Sequence, residues 1–391
     1  MLGGGSADGR RRLRVALVTS SYNYIADGVA LTLNRLVAYL QSQGVEVLVV
    51  TPVARAAAFA HEGEIAAAPS APIPFRSEYR FAFGLTPALR RRLEAFDPDI
   101  VHIATPDVLG RQALAFAQAR GTPVVASYHT RYETYLKDYG LKFLEDFVGA
   151  WLRRFYDSCD EVYAPSASMA EHMASAGFAD NVRLWARGVD TKRFNPAHRS
   201  LEFRARLGFG EAEPVVAFVG RLVREKRLDT LVEVLAALRR AEVAHRVLIV
   251  GDGPDRPMLE RGLPGASFTG FLTGDDLAVA YASADIFLFP SDTESFGNVT
   301  LEAMASGLPT VAADATGSRS LVAEGVTGFL APAGAPADFV QPLAALAVDV
   351  SMRRTMGQAA RARSLEFSWD AAMGGLLARY ETLTQPRRAV A

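Results

Sequence analysis

The chain has 391 residues, half of them hydrophobic and 22% charged, with a formal net charge of -1. That length exceeds the roughly 250 residues that one core usually serves, so it implies two domains. The charge excludes the basic excess of a typical nucleic-acid binder, and the single cysteine, Cys159, excludes an internal disulfide and fits a reducing cytoplasm.

At the N-terminus, Arg10-Arg11-Arg12 precedes an apolar run. Val15–Val18 is too short for the apolar segment of a signal peptide, so Leu13–Val18 reads as a first buried strand behind a Gly/Ser/Arg tail. No stretch reaches the roughly 18 apolar residues of a membrane span, which leaves only peripheral membrane contact. Helical spacing (Leu33, Leu36, Val37, Leu40) runs over Val29–Gln43, and Val45–Thr51 is the next strand. Thr86–Ala95 reads as a helix, Ile100–Ile103 as a strand, Gly110–Arg120 as a helix and Pro123–Ser127 as a strand, followed by short strands at Val162–Ala164 and Val182–Leu184. The pattern restarts after a linker-like Pro196–Ser200. Strands are expected at Val215–Val219, Arg246–Val250, Ser267–Thr269, Ile286–Phe289 and Thr310–Ala312. Helices are expected at Arg227–Ala241, Pro257–Arg261, Asp275–Ala282, Val299–Ser306 and Trp369–Leu383. Continuous Val/Ile/Leu runs alternating with helices give parallel βαβ units, hence two open, doubly wound α/β halves. Such sheets bind ligands beyond the carboxyl ends of their strands, and two facing sheets make one cleft.

The informative residues follow strands. Pro290–Glu302 leaves a buried strand and enters a helix, with Glu294 in the loop, free backbone N–H groups over Ser295–Asn298, and Glu302 a turn into the helix. A helix start of this kind binds anions. A carboxylate beside it would repel a phosphate, so its use is to accept from hydroxyls: Glu302 from a ribose, Glu294 from a sugar. Either acid alone reads equally as a cap or a solvated side chain. Gly220, after the strand Val215–Val219, allows close backbone approach, and Arg221 and Lys226 could reach one diphosphate. A solvated basic turn describes the same residues. Gly251-Asp252-Gly253-Pro254 lacks the third glycine of a dinucleotide fingerprint and reads as a tight turn shaping a base pocket. In the first half, Asp27 and Gly28 open the first long helix, where Gly28 could admit a phosphate and Asp27 could face a sugar hydroxyl or the acceptor nucleophile. His129 follows the strand ending at Ser127 and points to the same cleft, as a structural histidine or a sugar contact. Asp97-Pro98-Asp99 matches a D-x-D metal motif but precedes its strand, at the wrong end of the sheet, and reads as a turn.

The strings G-R-L-x-x-E-K-R-L-D at Gly220–Asp229, Glu294/Glu302 at E-x(7)-E spacing, A-M-A-S-G-L-P-T-V-A at Ala303–Ala312 and E-G-V-T-G-F-L at Glu324–Leu330 resemble glycosyltransferase family 4. So do S-Y-H-T-R-Y at Ser127–Tyr132, Y-A-P-S at Tyr163–Ser166 and R-G-V-D-T-K-R-F at Arg187–Phe194. Within that family the chain is most similar to GDP-mannose-dependent α-mannosyltransferases and sulfoquinovosyl-type lipid glycosyltransferases. The resemblance implies the GT-B fold: two Rossmann-like domains, 1–195 on the acceptor side and 196–367 on the donor side, facing a central cleft, with 368–391 crossing back to the first. It implies a retaining, metal-independent hexosyl transfer, mannosyl favoured, from GDP-mannose or a UDP-sugar to a hydroxyl of a lipid or glycan, with no cofactor and no nucleic acid. Carried onto matching positions, Arg221 and Lys226 hold the diphosphate and Glu302 the ribose. Glu294 with the backbone of Phe296, Gly297 and Asn298 holds sugar and phosphates, and His129 touches the sugar. Asp27-Gly28 stands where many members carry two glycines. A nucleotide-sugar 2-epimerase and a non-catalytic sugar-nucleotide-binding partner protein remain as alternatives. The aromatic and basic residues of 131–155, with Arg90-Arg91-Arg92, suit either an anionic membrane surface on the cytoplasmic face or an ordinary helix pair.

Overall fold

The structure, a computed structural model, describes residues 12–25, 27–73, 76–129 and 145–385. Its strands are β1 (Arg14–Val18), β2 (Glu46–Pro52), β3 (Glu64–Ala68), β4 (Ser70–Ile73), β5 (Arg76–Ala82), β6 (Ile100–Ile103), β7 (Val124–Ser127), β8 (Glu161–Ala164), β9 (Val182–Leu184), β10 (Val215–Val219), β11 (Arg246–Val250), β12 (Ser267–Gly270), β13 (Ile286–Phe289), β14 (Thr310–Ala313) and β15 (Gly328–Ala331). Among the described residues they form two parallel sheets, in the orders β3-β2-β1-β6-β7-β8-β9 and β12-β11-β10-β13-β14-β15, and a β4-β5 hairpin. Val15–Val18, Val215–Val219 and Ile286–Phe289 are buried throughout, because helices cover both faces of each sheet.

In each sheet the chain reverses its direction of winding once, between β1 and β6 and between β10 and β13. Helices leave a crevice beyond the strand ends at such a switch point. The loops that open there are 19–27 and 104–107 in the first sheet, and 220–227 and 290–297 in the second. The helix Gly28–Ser42 buries Leu33, Leu36, Val37 and Leu40 along one stripe and is capped by Asp27, whose Oδ1 accepts from the Ala30 N–H at 2.8 Å.

The helix Trp369–Thr384 lies on the first sheet. Met373, Leu376 and Tyr380 join one core with Val15, Leu17, Leu36 and Val37. Burying each such side chain contributes about 1.5–3 kcal/mol. A buried polar link fixes the helix as well, since the Tyr380 hydroxyl lies 2.5 Å from His102 Nδ1 and His102 Nε2 meets Ser127 Oγ. The chain reaches this helix past Gly188, where a Cβ would lie 2.3 Å from the Trp369 backbone nitrogen. Only glycine permits that crossing.

Two regions depart from the sequence reading. Residues 64–82 supply β3 and the β4-β5 hairpin, although Glu64–Ala68 and Ser70–Ile73 offer alanine and proline in place of an aliphatic run. Between β14 and the last helix lie Thr316–Leu321, β15, Pro336–Val348 and Val350–Ser364. Pro336 sits at a helix start, where its missing N–H costs nothing, but Pro342 lies inside the helix and interrupts the pattern by which it would be recognised. Pro196–Ser200, where the pattern restarts, is held to the second half: Arg199 Nη1 donates to the Ala284 carbonyl at 2.9 Å, and the Ser200 N–H to Ser283 Oγ at 3.0 Å.

Candidate functional site

Three loops of the second sheet meet at its switch point. The turn after β11 presses backbone against backbone on the turn after β10. A Cβ at Gly251 would lie 1.9 Å from the Gly220 carbonyl oxygen, and one at Gly253 would lie 2.3 Å from that of Leu222. These two glycines are required by loop packing. A Cβ at Gly220 would meet nothing closer than 3.6 Å, so the space over that residue is open. Arg221 is exposed, and its field is felt across the cleft at Asp27, whose carboxyl is nevertheless raised by burial.

The β13 loop places Glu294 against Lys226, and Ser291 Oγ donates to the same Glu294 Oε1 at 3.1 Å. Lys226 and Glu294, read from sequence as holding different parts of a ligand, are thus paired with each other. The pair is reachable, with side chains 19% and 17% exposed. The loop itself is clamped from behind: the Gly317 N–H and Thr316 Oγ1 donate to the Glu294 carbonyl at 2.9 and 2.8 Å. Phe296 is buried against Phe367, Gly297 turns left-handed at φ 94°, and the helix Asn298–Ala305 begins. Asn298 Oδ1 and Thr300 Oγ1, buried at that helix start, have no partner among the described residues. One turn on, Glu302 accepts from the Tyr281 hydroxyl at 3.0 Å. Burial pushes its carboxyl up to about 7, against the pull of Tyr281 and of Arg35 from the first half. Arg35 stacks on Trp369 at 4.6 Å.

The first half closes on this loop directly. A Cβ at Gly28 would lie 3.2 Å from Asn298 Nδ2, so the starts of two helices, one from each half, face each other. The N–H ends of helices favour negative charge. Asp27 does not stand free there: Oδ1 caps its helix and Oδ2 accepts from Ser21 Oγ at 3.2 Å. Ser295 Oγ donates to the His129 carbonyl at 2.7 Å, and Ser166 Oγ to the Ser295 carbonyl at 2.9 Å. Ser168 bonds Ser320 across the same interface at 2.6 Å.

His129 is buried, with Arg187 Nη2 2.5 Å from its Nδ1. Arg187 was not singled out in the sequence, although R-G-V-D-T-K-R-F begins with it. Ser166 and Arg187 sat inside recognised strings, whereas Tyr281 and Arg35 carried no signal. Asp97 pairs with Arg14 at 2.6 Å and Arg120 at 3.0 Å and turns at φ 49°, while Asp99 accepts from the Arg14 N–H. Among the described residues no group of three or more His, Cys, Asp or Glu could hold a metal ion.

A cleft with two opposed helix starts, basic residues and hydroxyl-accepting acids suits a sugar joined to a diphosphate. The description Glycosyltransferase Family 4 matches residues 26–193, and Glycosyl transferases group 1 matches residues 213–349. The sulfoquinovosyl transferase SQD2 of Arabidopsis thaliana is 37% identical over 379 residues, covering 93% of this chain and 72% of the relative. A GDP-mannose-dependent alpha-mannosyltransferase of Mycobacterium tuberculosis is 36% identical over 379 residues, covering 95% of this chain and 97% of the relative.

The chain belongs to glycosyltransferase family 4.

This glycosyltransferase has the GT-B fold. Sucrose-phosphate synthase from Thermosynechococcus elongatus superposes with a TM-score of 0.78 at 21% identity, covering 95% of this chain and 99% of that one. A neighbour of the same fold, Anabaena Alr3699/HepE, is known in complex with UDP-glucose and superposes with a TM-score of 0.72 at 20% identity, covering 95% of this chain and 100% of that one. No helix among the described residues is long and apolar enough to cross a membrane.

Proposed function

We propose that this glycosyltransferase moves a mannosyl group from GDP-mannose to a hydroxyl of a lipid or glycan, with retention at the anomeric carbon and without a metal. The carrying observation is that Lys226, Glu294 and the helix start at Asn298 meet at the switch point of the second sheet, with Gly28 opposite. The donor diphosphate sits over the open face of Gly220, and Arg221 and Lys226 neutralise it. The amide groups at 297–298 bind its β-phosphate, Glu302 accepts from the ribose and Glu294 from the hexose. Departure of the diphosphate builds negative charge where these donors already stand. The acceptor hydroxyl then attacks the oxocarbenium-like carbon from the face the phosphate is leaving, and its proton passes to a β-phosphate oxygen. The mannosyl and guanine assignments rest on likeness to the mycobacterial relative.

A peripheral membrane site for a lipid acceptor would use the aromatic and basic residues of 131–155. Residues 131–144 of the aromatic and basic stretch lie outside the described residues. In its described part Phe147 is 72% exposed, but Arg153 donates to the Ala176 carbonyl. Nearby, Arg90 and Arg92 pair with Glu94 and Glu64. Binding to anionic vesicles at low salt is the expected outcome, and no sedimentation with them removes the lipid-surface reading.

The main test is a thermal-shift and turnover panel with GDP-mannose, UDP-glucose and ADP-glucose. A donor at 100 times its Kd adds about 2.7 kcal/mol to stability. GDP-mannose should stabilise the enzyme most, and mannose should leave faster when an acceptor is added. NMR of the product should show the α-anomer. Stabilisation by UDP-glucose alone would overturn the base and sugar, and acceptor-independent conversion of the sugar would mark an epimerase.

A further inference from the structure

Arg187 is 5% exposed and His129 7%, and among the described residues no carboxylate pairs with either. The Arg187 guanidinium stacks on the Trp185 ring at 4.7 Å, and its Nη2 lies 2.5 Å from His129 Nδ1. A guanidinium in a protein only donates. His129 Nδ1 must therefore be the accepting nitrogen, and the single imidazole proton must sit on Nε2. That Nε2 is buried and has no partner among the described residues, and Arg187 Nη1 is in the same position. A buried donor left unmatched is costly, so both need an oxygen supplied in some working state. The place is the working one: the His129 carbonyl holds Ser295, in the loop between Glu294 and the Asn298 helix start.

We infer that Arg187 and His129 form a single donor unit, in which Arg187 locks His129 as the Nε2–H tautomer so that it offers a hydrogen bond to an oxygen of the bound donor sugar and never takes a proton from the acceptor. This rests on the reading of the cleft as a sugar-nucleotide site. Arg187 is then a positioning residue acting through His129. The groups acting on the imidazole are Arg187 from the segment after β9, His102 from β6 and the Trp185 ring face. Burial opposes its protonation most, and the two charged or titratable groups, Arg187 and His102, oppose it as well. The proton of the acceptor hydroxyl must consequently go to a group other than His129.

Two measurements test this. Nitrogen-15 NMR of the imidazole, assigned by comparison with His129→Gln, should show an unprotonated Nδ1 and a protonated Nε2, unchanged from pH 5.5 to 8. An Nδ1–H tautomer or an imidazolium in that range would overturn the proposal, whether or not the enzyme uses mannose. In turnover, Arg187→Met should cut kcat at least tenfold and alter the acid side of the kcat profile, because the Arg187 charge no longer opposes protonation of the imidazole while burial still does. His129→Gln, whose amide N–H can replace Nε2–H, should retain more kcat than His129→Ala. An Arg187→Met profile identical to that of the parent, or equal losses in the two His129 variants, would sink it. If Arg187→Met fails to fold, Arg187→Lys serves: a lysine keeps the charge and a donor, so it should keep the tautomer while losing part of kcat. Failure of the donor panel with the tautomer as stated would overturn the proposed function and leave the Arg187–His129 assignment standing.

Discussion

Lys226 and Glu294, in the second half, face each other as opposite charges that remain partly open to solvent. Arg187 and His129, in the first half, are sealed, and only one of the two is charged. The contrast follows from what each half handles. A diphosphate brings negative charge in and takes it away again, so the cations that meet it do best when already paired and hydrated. An accessible ion pair contributes only about 0–1 kcal/mol, and a phosphate can replace Glu294 at Lys226 with little loss. A sugar is neutral and needs direction more than charge, and buried neutral donors hold direction well. Substitutions on the two sides should therefore fail in different ways.

The largest effect belongs to Lys226. Lys226→Ala should lower kcat by about 10²–10³, the cost of removing one preorganised donor at the developing charge, with stability nearly unchanged. Stopped or steady-state turnover checks it. A normal kcat would mean that the second half does not hold its cations at the leaving group, and the comparison would collapse. Next comes Gly253→Ala, which acts on the scaffold alone. Its Cβ would lie 2.3 Å from the Leu222 carbonyl oxygen, so the two turns must part, at about 1–3 kcal/mol measured by urea unfolding. A variant as stable as the parent would show that these turns are not held together as described.

Much of this architecture was legible because buried parallel strands are apolar without interruption, and ligand loops follow them. Val215–Val219 and Ile286–Phe289 pointed at once to the turns carrying Arg221, Lys226 and Glu294. What stayed hidden depends on partners distant in sequence. Nothing local says that Lys226 will find Glu294, 68 residues away, or that Arg187 will find His129. Gly251 and Gly253 read as a tight turn, and the reason for the turn's glycines lies in distant sequence too: their missing side chains make room for the neighbouring turn at Gly220 and Leu222. The β4-β5 hairpin and the helix Pro336–Val348 were missed because proline and alanine blur the periodicity on which such a reading depends.

Glu302 joins the two halves through Arg35, and pH reads the coupling. Its carboxyl, held at about 7 against an ordinary 4.5, is largely protonated in the free enzyme below neutrality. The ionised form is the better acceptor for ribose hydroxyls. Donor affinity should therefore rise as pH increases through about 7, by at most about tenfold per unit on the acid side. The stability sign is opposite: Glu302 favours the fold fully below about 4.5, and that contribution is lost as pH rises through about 7. Glu302→Gln should flatten the affinity profile, and Arg35→Met should move its midpoint to higher pH. Isothermal titration with GDP from pH 6 to 8 decides, and an unshifted midpoint in Arg35→Met would uncouple the halves.

The smallest effect separates the two uses of Asp27. As a cap it satisfies the Ala30 N–H, and Asp27→Ala should cost about 1 kcal/mol of stability. Serine caps nearly as well and carries no charge, so Asp27→Ser should recover most of that loss. If capping is the whole of its role, turnover in Asp27→Ser stays near the parent value. If the carboxylate also receives an acceptor hydroxyl, stability returns with serine while the KM for the acceptor stays raised and the KM for the donor does not rise. Arg221 lies within electrostatic reach of Asp27, so removing the negative charge should also tighten donor binding slightly by freeing Arg221 for the phosphate. An Asp27→Ser enzyme with weaker donor binding would contradict that. It would move Asp27 from the first half's neutral apparatus to the charged apparatus of the second.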